Sequence, residues 1–323
     1  MASKSEEKNN MIGTVDFLFS FCGEKKPGNG EDSVLYSLNM SQALVGVFDG
    51  CGGSGASQYG GLQNKTGAYV ASRAASAAYR DWFDSLEPGK EPYPQEIKAR
   101  ILEYLRLCDS KGGSGGGSKL MGRMSKKLPT TAAVAIARPA RGGLADVQLH
   151  WAGDSRVYLL DGEGLAQLTE DDLGGIDAMR NLSEDGVLTN AINLTTDFSI
   201  HSARITVGRP CLLFASTDGC FGYLSTPMEF EYLLLSTLQA APNTAAWEKA
   251  LEQAVGETAG DDYTVSGMAL GFGSFDNLKR QLAGRTGELY RNYIRGLESC
   301  TKEEKQQLWE HYKDHYHRYL CRP

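Results

Sequence analysis

No stretch of this 323-residue chain approaches the ~20 consecutive apolar residues a membrane-spanning helix needs. Its opening, MASKSEEKNN, is polar and does not read as a secretory leader, so the expected location is cytoplasmic. Basic runs are missing beyond pairs such as Lys25-Lys26 and Lys126-Lys127, and the formal charge is −7. Nucleic acid is therefore not an expected partner, because no phosphate-backbone footprint exists. The cysteines (22, 51, 108, 211, 220, 300, 321) number seven and show no C-x-x-C spacing, which argues against both a disulfide framework and a zinc cluster. They are expected as reduced thiols in or near the core. No Ser-His-Asp arrangement stands out. Cys51 is followed by Gly-Gly-Ser-Gly-Ala with no arginine at the spacing a phosphocysteine loop needs, so covalent catalysis is disfavoured. Residues 112–118, GGSGGGS, lack the Gly-Lys-Ser/Thr ending of a phosphate-binding loop and read as a flexible spacer, engineered or natural.

What is present is acid beside glycine. GEDS (30–33), VFDGCGG (47–53), STDG (216–219) and GDDYTV (260–265) each place carboxylates next to small residues. A single Asp-Gly is ordinarily a turn. Two of these follow the apolar runs Ala43–Phe48 and Cys211–Ala215, however, and a buried strand that ends in an ionised carboxylate needs a compensating charge. A divalent cation supplies it most simply. Oxygen donors without a Cys/His cluster favour magnesium, manganese or calcium over zinc.

Hydrophobic content of 41% supports a substantial core, expected as one main domain and an appendage. SVLYSL (33–38) and ALVGVF (43–48), separated by Asn39–Gln42, suit an antiparallel hairpin. Ala71, Ala75, Ala78, Trp82 and Leu86 recur at helical spacing, as do Ile97, Ile101, Leu105 and Cys108. Strand-like runs return at 131–137, 147–152, 156–160, 203–207, 211–216 and 264–270. Thr226-Pro227-Met228-Glu229 combines an N-cap, a first-turn proline and a capping-box glutamate, and a further helix is expected around Trp247, Leu251 and Val255. This order predicts an α+β fold of mostly antiparallel sheets covered by helices. Leu278, Leu282, Leu289, Tyr293 and Leu297 suggest one more helix, and Thr301 with Glu304 opens another through Tyr312 and Tyr319. The aromatic stripe of that last helix reads as packing, although His311 and His315 also have the spacing of a metal pair.

GEDS, VFDGCGG, LPTTAAVAI, WAGDSRVYLL, QLTEDD, LLFASTDG and GDDYTV resemble, in order and approximate spacing, the metal-dependent protein serine/threonine phosphatases of the 2C type, in their bacterial-like variant. The resemblance covers about residues 12–272, leaving a polar tail at 1–11 and a C-terminal helical hairpin at 273–323. It implies a four-layer α-β-β-α sandwich with a binuclear Mn²⁺ or Mg²⁺ centre at one sheet edge, and hydrolysis of phosphoserine or phosphothreonine in a phosphoprotein served by a cognate Ser/Thr kinase. Asp49 matches the carboxylate bridging both ions, and Gly50 the residue that offers its carbonyl. Asp218 and Asp261 match the remaining ligands of one ion. Asp32 matches a carboxylate that holds a water at the metal, with Glu31 beside it at the second ion. Asp154 matches the residue that recruits a weaker third ion together with Asp218. The physical reading agrees, since paired cations activate water for in-line attack and require no nucleophilic side chain.

Two positions depart from the family pattern. Where eukaryotic members carry a general-acid histidine, this chain has Cys51, either an acid or a spacer. Where an arginine usually grips the substrate phosphate stands Pro27, with Lys25 and Lys26 the candidate replacements. Residues 170–190 occupy the family's variable flap. A catalytically weak, phosphoprotein-binding scaffold is the alternative function. It is disfavoured because crowding like charges costs energy that a scaffold does not need to spend.

Overall fold

The computed structural model describes residues 15–86, 93–112, 126–174, 178–179, 182 and 186–320. The N-terminal tail, the Gly/Ser run from 113 onward and part of the 170–190 segment lie outside the described residues. In chain order the elements are β1 (Val15–Gly23), β2 (Ser33–Leu38), β3 (Ala43–Phe48), β4 (Gln58–Tyr59), β5 (Lys65–Thr66), α1 (Gly67–Asp84), α2 (Pro94–Gly112), β6 (Ala132–Pro139), β7 (Leu144–Ala152), β8 (Arg156–Asp161) and β9 (Gly164–Gln167). They continue with β10 (His201–Gly208), β11 (Cys211–Ser216), α3 (Pro227–Ala240), α4 (Thr244–Gly256), β12 (Tyr263–Leu270), α5 (Phe275–Leu289) and α6 (Lys302–Tyr316).

Two five-stranded sheets form, ordered β1-β12-β11-β8-β9 and β10-β7-β6-β3-β2, with β4-β5 as a separate ribbon. Neighbouring strands pair antiparallel throughout. Val45 and Val47 of β3, Ala133 and Ala135 of β6, Leu213 of β11 and Met268 of β12 fill the space between the sheets. The opposite face of the second sheet, with Leu44, Phe48 and Val134, packs on Ala71, Ala75, Trp82 and Ile101 of α1 and α2. The outer face of the first sheet, with Phe19, Phe214 and Val265, packs on α3, α4, α5 and α6. Four layers result, α-β-β-α. Covering on both faces explains why the central strands read as unbroken apolar runs rather than alternating ones.

Helix starts follow their local chemistry. The Thr226–Glu229 and Thr301–Glu304 capping boxes open α3 and α6, as their sequences require. The helix expected from Leu278 through Leu297 is shorter: α5 stops at Leu289, a π turn spans Tyr290–Ile294, and Gly296 takes φ 86°. Only glycine adopts that left-handed conformation without strain, so the chain turns there and the leucine spacing beyond Leu289 is not helical. Trp309, Tyr312 and Tyr316 of α6 are buried in the same core as α3. His315 lies against the Arg318 guanidinium at 3.0–3.2 Å. Among the described residues, no helix is long and apolar enough to cross a membrane.

Candidate metal centre

Each acidic motif sits at a strand end. Glu31 and Asp32 precede β2, Asp49 follows β3, Asp154 lies between β7 and β8, Asp218 follows β11, and Asp261 precedes β12. The antiparallel order brings these ends together. Gly50 bridges to Thr130, while the Asp49 carbonyl accepts from Thr130 Oγ1 at 2.7 Å and Thr131 N at 2.8 Å. Thr217 Oγ1 donates to Asp32 at 2.9 Å. The glycines are needed for close approach. A Cβ on Gly50 would stand 2.7 Å from the Ala68 carbonyl oxygen and 2.8 Å from that of Glu31, and one on Gly219 would stand 1.9 Å from the Asp262 carbonyl oxygen.

The electrostatics of this edge are one-sided. Burial raises the Asp49 carboxyl well above the usual range, and the charges of Asp32, Asp218, Asp154 and Asp261 push it further. Asp32, 2% exposed, is raised to about 7, first by burial and then by Asp218 and Asp262, against the bonds from Thr217 and Thr264. Asp154 is raised by burial, Asp218 and Asp171, with Arg156 opposing. Asp218 is raised by burial and Asp261, and hydrogen-bonds Asp49. Burial also raises Glu31, whose Oε1 accepts a short bond from Thr66 Oγ1. One Asp154 oxygen is buried without a hydrogen-bond partner. Among the described residues, no group of three or more His, Cys, Asp or Glu side chains forms a ready metal cage. The carboxylates instead share one basin, where their mutual repulsion is opposed by the Arg156 charge at Asp154 and Asp218 and by the Thr217 hydroxyl at Asp32. That donor set, and the orphaned Asp154 oxygen, fit hard divalent cations.

Several residues outside the sequence-based set complete the site. Asp262 accepts from the backbone N–H groups of Lys25 at 2.8 Å and Glu31 at 2.7 Å, tying GEDS to GDDYTV. Arg73 of α1 donates to the carbonyls of Gly30 and Glu31, each at 3.2 Å, and packs on the Tyr69 ring. Arg156, 2% exposed, is paired with Asp171 through bonds of 2.6–3.1 Å, while Asp172 accepts from Gly153 N at 2.9 Å. The Asp154 loop is thus clamped on both sides.

Of the candidate phosphate-binding residues, Lys25 spends its ammonium on the Ala259 carbonyl at 2.7 Å, while the Lys26 side chain is exposed. The Cys51 thiol is half-buried and pushed well up by burial and the Asp49 charge, so it is protonated in the ion-free molecule.

No family model matches the sequence, and no curated protein matches it. Solved structures do. The serine/threonine phosphatase Stp1 from Staphylococcus aureus superposes with a TM-score of 0.60 at 16% identity, covering 84% of this chain and 100% of its own. The Mycobacterium tuberculosis serine/threonine phosphatase PstP/Ppp matches with a TM-score of 0.54 at 18% identity over 80% and 99%. The PstP catalytic domain in complex with two manganese ions gives 0.52 at 17% identity over 80% and 98%. The fold is therefore that of the PPM-type serine/threonine phosphatases. It is the four-layer sandwich the motif order implies, carried by a sequence less than one-fifth identical to these structures.

Proposed function

We propose that the chain is a metal-dependent protein serine/threonine phosphatase, hydrolysing phosphoserine and phosphothreonine at a binuclear Mn²⁺ or Mg²⁺ centre. The observation that carries this reading is the basin formed by buried Asp32, half-buried Asp49, Asp154 and Asp218, and Asp261 at its exposed rim, on the phosphatase fold. Holding like charges in this way raises the energy of the ion-free protein, and bound cations offset it. Asp49 would join both ions, with Asp218 and Asp261 on one and the Gly50 carbonyl and Glu31 on the other; Asp154 with Asp218 would hold a weaker third. Two such ions supply Lewis acidity toward the phosphoryl oxygens and an activated water.

The protein's own part is positional. Thr217 fixes the Asp32 carboxyl, Arg73 and Asp262 fix the backbone of Gly30 and Glu31, and the Thr130–Thr131 pair fixes Asp49. The substrate is a phosphoprotein, which implies an opposing Ser/Thr kinase as functional partner. Pro27, standing where the family pattern has a phosphate-gripping arginine, favours the competing scaffold reading.

Turnover of an aryl phosphate and a phosphoserine peptide, with and without Mn²⁺, separates the two. Hydrolysis that requires Mn²⁺ and disappears with chelator is expected. Full activity of metal-stripped protein, or none under any metal, overturns the proposal.

A further inference from the structure

Beside the acidic basin opens a cleft of about 530 Å³, lined in part by Lys25, Lys26, Lys65, Glu31, Asp261 and Asp262. Its volume falls within the ~300–1,000 Å³ of ordinary ligand sites. The division of hydrogen bonds inside it is informative. Both Asp262 oxygens are satisfied by the backbone N–H groups of Lys25 and Glu31, Asp261 accepts from Asp262 N at 2.8 Å, and Glu31 takes the Thr66 hydroxyl. None of the three carboxylates pairs with a lysine ammonium, although three lysines share the cleft.

Lys65 is the best placed of these. It belongs to β5, one residue before the Thr66 that both caps α1 and contacts Glu31. Its Nζ is held by the Gly28 carbonyl at 3.2 Å and lies 4.5 Å from the Tyr69 ring centroid. One of its three N–H groups is thereby used, and two remain for a ligand. Lys25 likewise gives one N–H, to the Ala259 carbonyl at 2.7 Å, but it does not stand next to the Thr66 that holds Glu31, and Lys26 lies exposed at the rim. A half-buried ammonium, oriented on an aromatic face and paired with none of the cleft's carboxylates, is an anion-binding group.

We propose that Lys65 binds a phosphoryl oxygen of the substrate at the Glu31–Asp261 end of this cleft, with Lys26 contributing charge from the rim. This rests on the phosphatase reading above and adds to it a residue on an element outside the acidic motifs. A lysine here acts as a point charge and lacks the bidentate fork of an arginine, so it contributes affinity with less control of orientation.

The test is calorimetric titration of Mn²⁺-loaded wild type, Lys65→Met, Lys65→Arg and Lys26→Met/Lys65→Met with inorganic phosphate, alongside Mn²⁺ titration of each. Lys65→Met should weaken phosphate binding about tenfold and the double variant further, Lys65→Arg should restore it, and Mn²⁺ affinity should stay the same. Unchanged phosphate affinity in folded Lys65→Met overturns the proposal, as does a loss matched by an equal loss of Mn²⁺ affinity. If wild type binds phosphate through Lys65 yet hydrolyses nothing, the phosphatase reading falls and this assignment stands. If wild type hydrolyses and Lys65→Met binds phosphate as wild type does, the reverse holds.

Discussion

Under the C-terminal helices, Arg285 reaches Glu231 with Nε at 2.7 Å and a terminal nitrogen at 3.0 Å, and the Tyr312 hydroxyl donates to the same carboxylate. At the sheet edge, the charges that act most on Asp49 are those of Asp32, Asp218, Asp154 and Asp261. Both regions bury charge. In the first, each charge has its opposite inside the same chain, so the arrangement is complete and serves packing. In the second, the nearby buried cation, Arg156, is taken up by Asp171, the carboxylates are in excess, and a counter-charge from outside is what the arrangement calls for. Pairing therefore distinguishes a structural buried carboxylate from a functional one, where burial by itself does not.

Four substitutions probe this contrast. The largest effect is expected from Asp49→Asn, which should lower Mn²⁺-dependent turnover by about 100-fold or more while leaving the ion-free protein as stable as wild type or more so. Steady-state kinetics and chelated thermal melts check both halves, and a destabilised ion-free variant would break the comparison. Glu231→Gln should do the opposite. Leaving Arg285 buried without its charge partner costs about 3–5 kcal/mol, read as a lower urea midpoint, with the metal dependence of whatever folds unchanged.

His150 supplies a third case, a buried titratable group with no charge partner of either sign. Its ring is enclosed by Tyr79 and Trp82, bonds Gln148 at 3.1 Å, and has its pKa lowered from 6.5 to about 4 by burial. Between those values the unfolded chain holds a proton that the folded one does not. Stability therefore falls as pH drops from 6.5 toward 4, by about 3 kcal/mol in all, and levels off below. His150→Gln should flatten that part of the pH–stability curve; an unaltered slope would show that the ring is not the group responsible. The smallest effect belongs to Cys51. If its protonated thiol only fills space, Cys51→Ala should change phosphoserine-peptide and aryl-phosphate hydrolysis by similar factors of a few. A loss confined to phosphoserine, the poorer leaving group, would make it an acid.

The strand ends carrying the acids were legible because two follow runs that are apolar on both faces, and because glycine beside aspartate marks a chain reversal. Phe17, Phe19 and Phe21 alternate in β1 and pack toward the helices, a period-two signal the sequence reading passed over. The four-residue strand β9 is too short to carry a period. Arg73 gave no signal, since one arginine in an alanine-rich helix looks like a solvated position, and its bonds to Gly30 and Glu31 cross 43 and 42 residues. The Arg285–Glu231 pair spans 54 residues and was equally invisible to local pattern. Periodicity reports which face of an element is buried. It does not report which charged side chain will meet which.

The bond from Glu31 N–H to Asp262 joins positions 231 residues apart, and in its sheet β1 has β12 as its sole neighbour. For a chain emerging from the ribosome, this sets an order of events. The local pieces, such as the β2–β3 hairpin and α1 with α2, have their partners early. The acidic basin lacks Asp261 and the ties of Asp262 to Lys25 and Glu31 until residues near 270 have been made, and such long-range pairings are the slow part of folding. A partly synthesised or C-terminally clipped chain would carry most of the acidic side chains without the basin that gives them a common purpose. Competence at this site thus waits on the last strand of the first sheet.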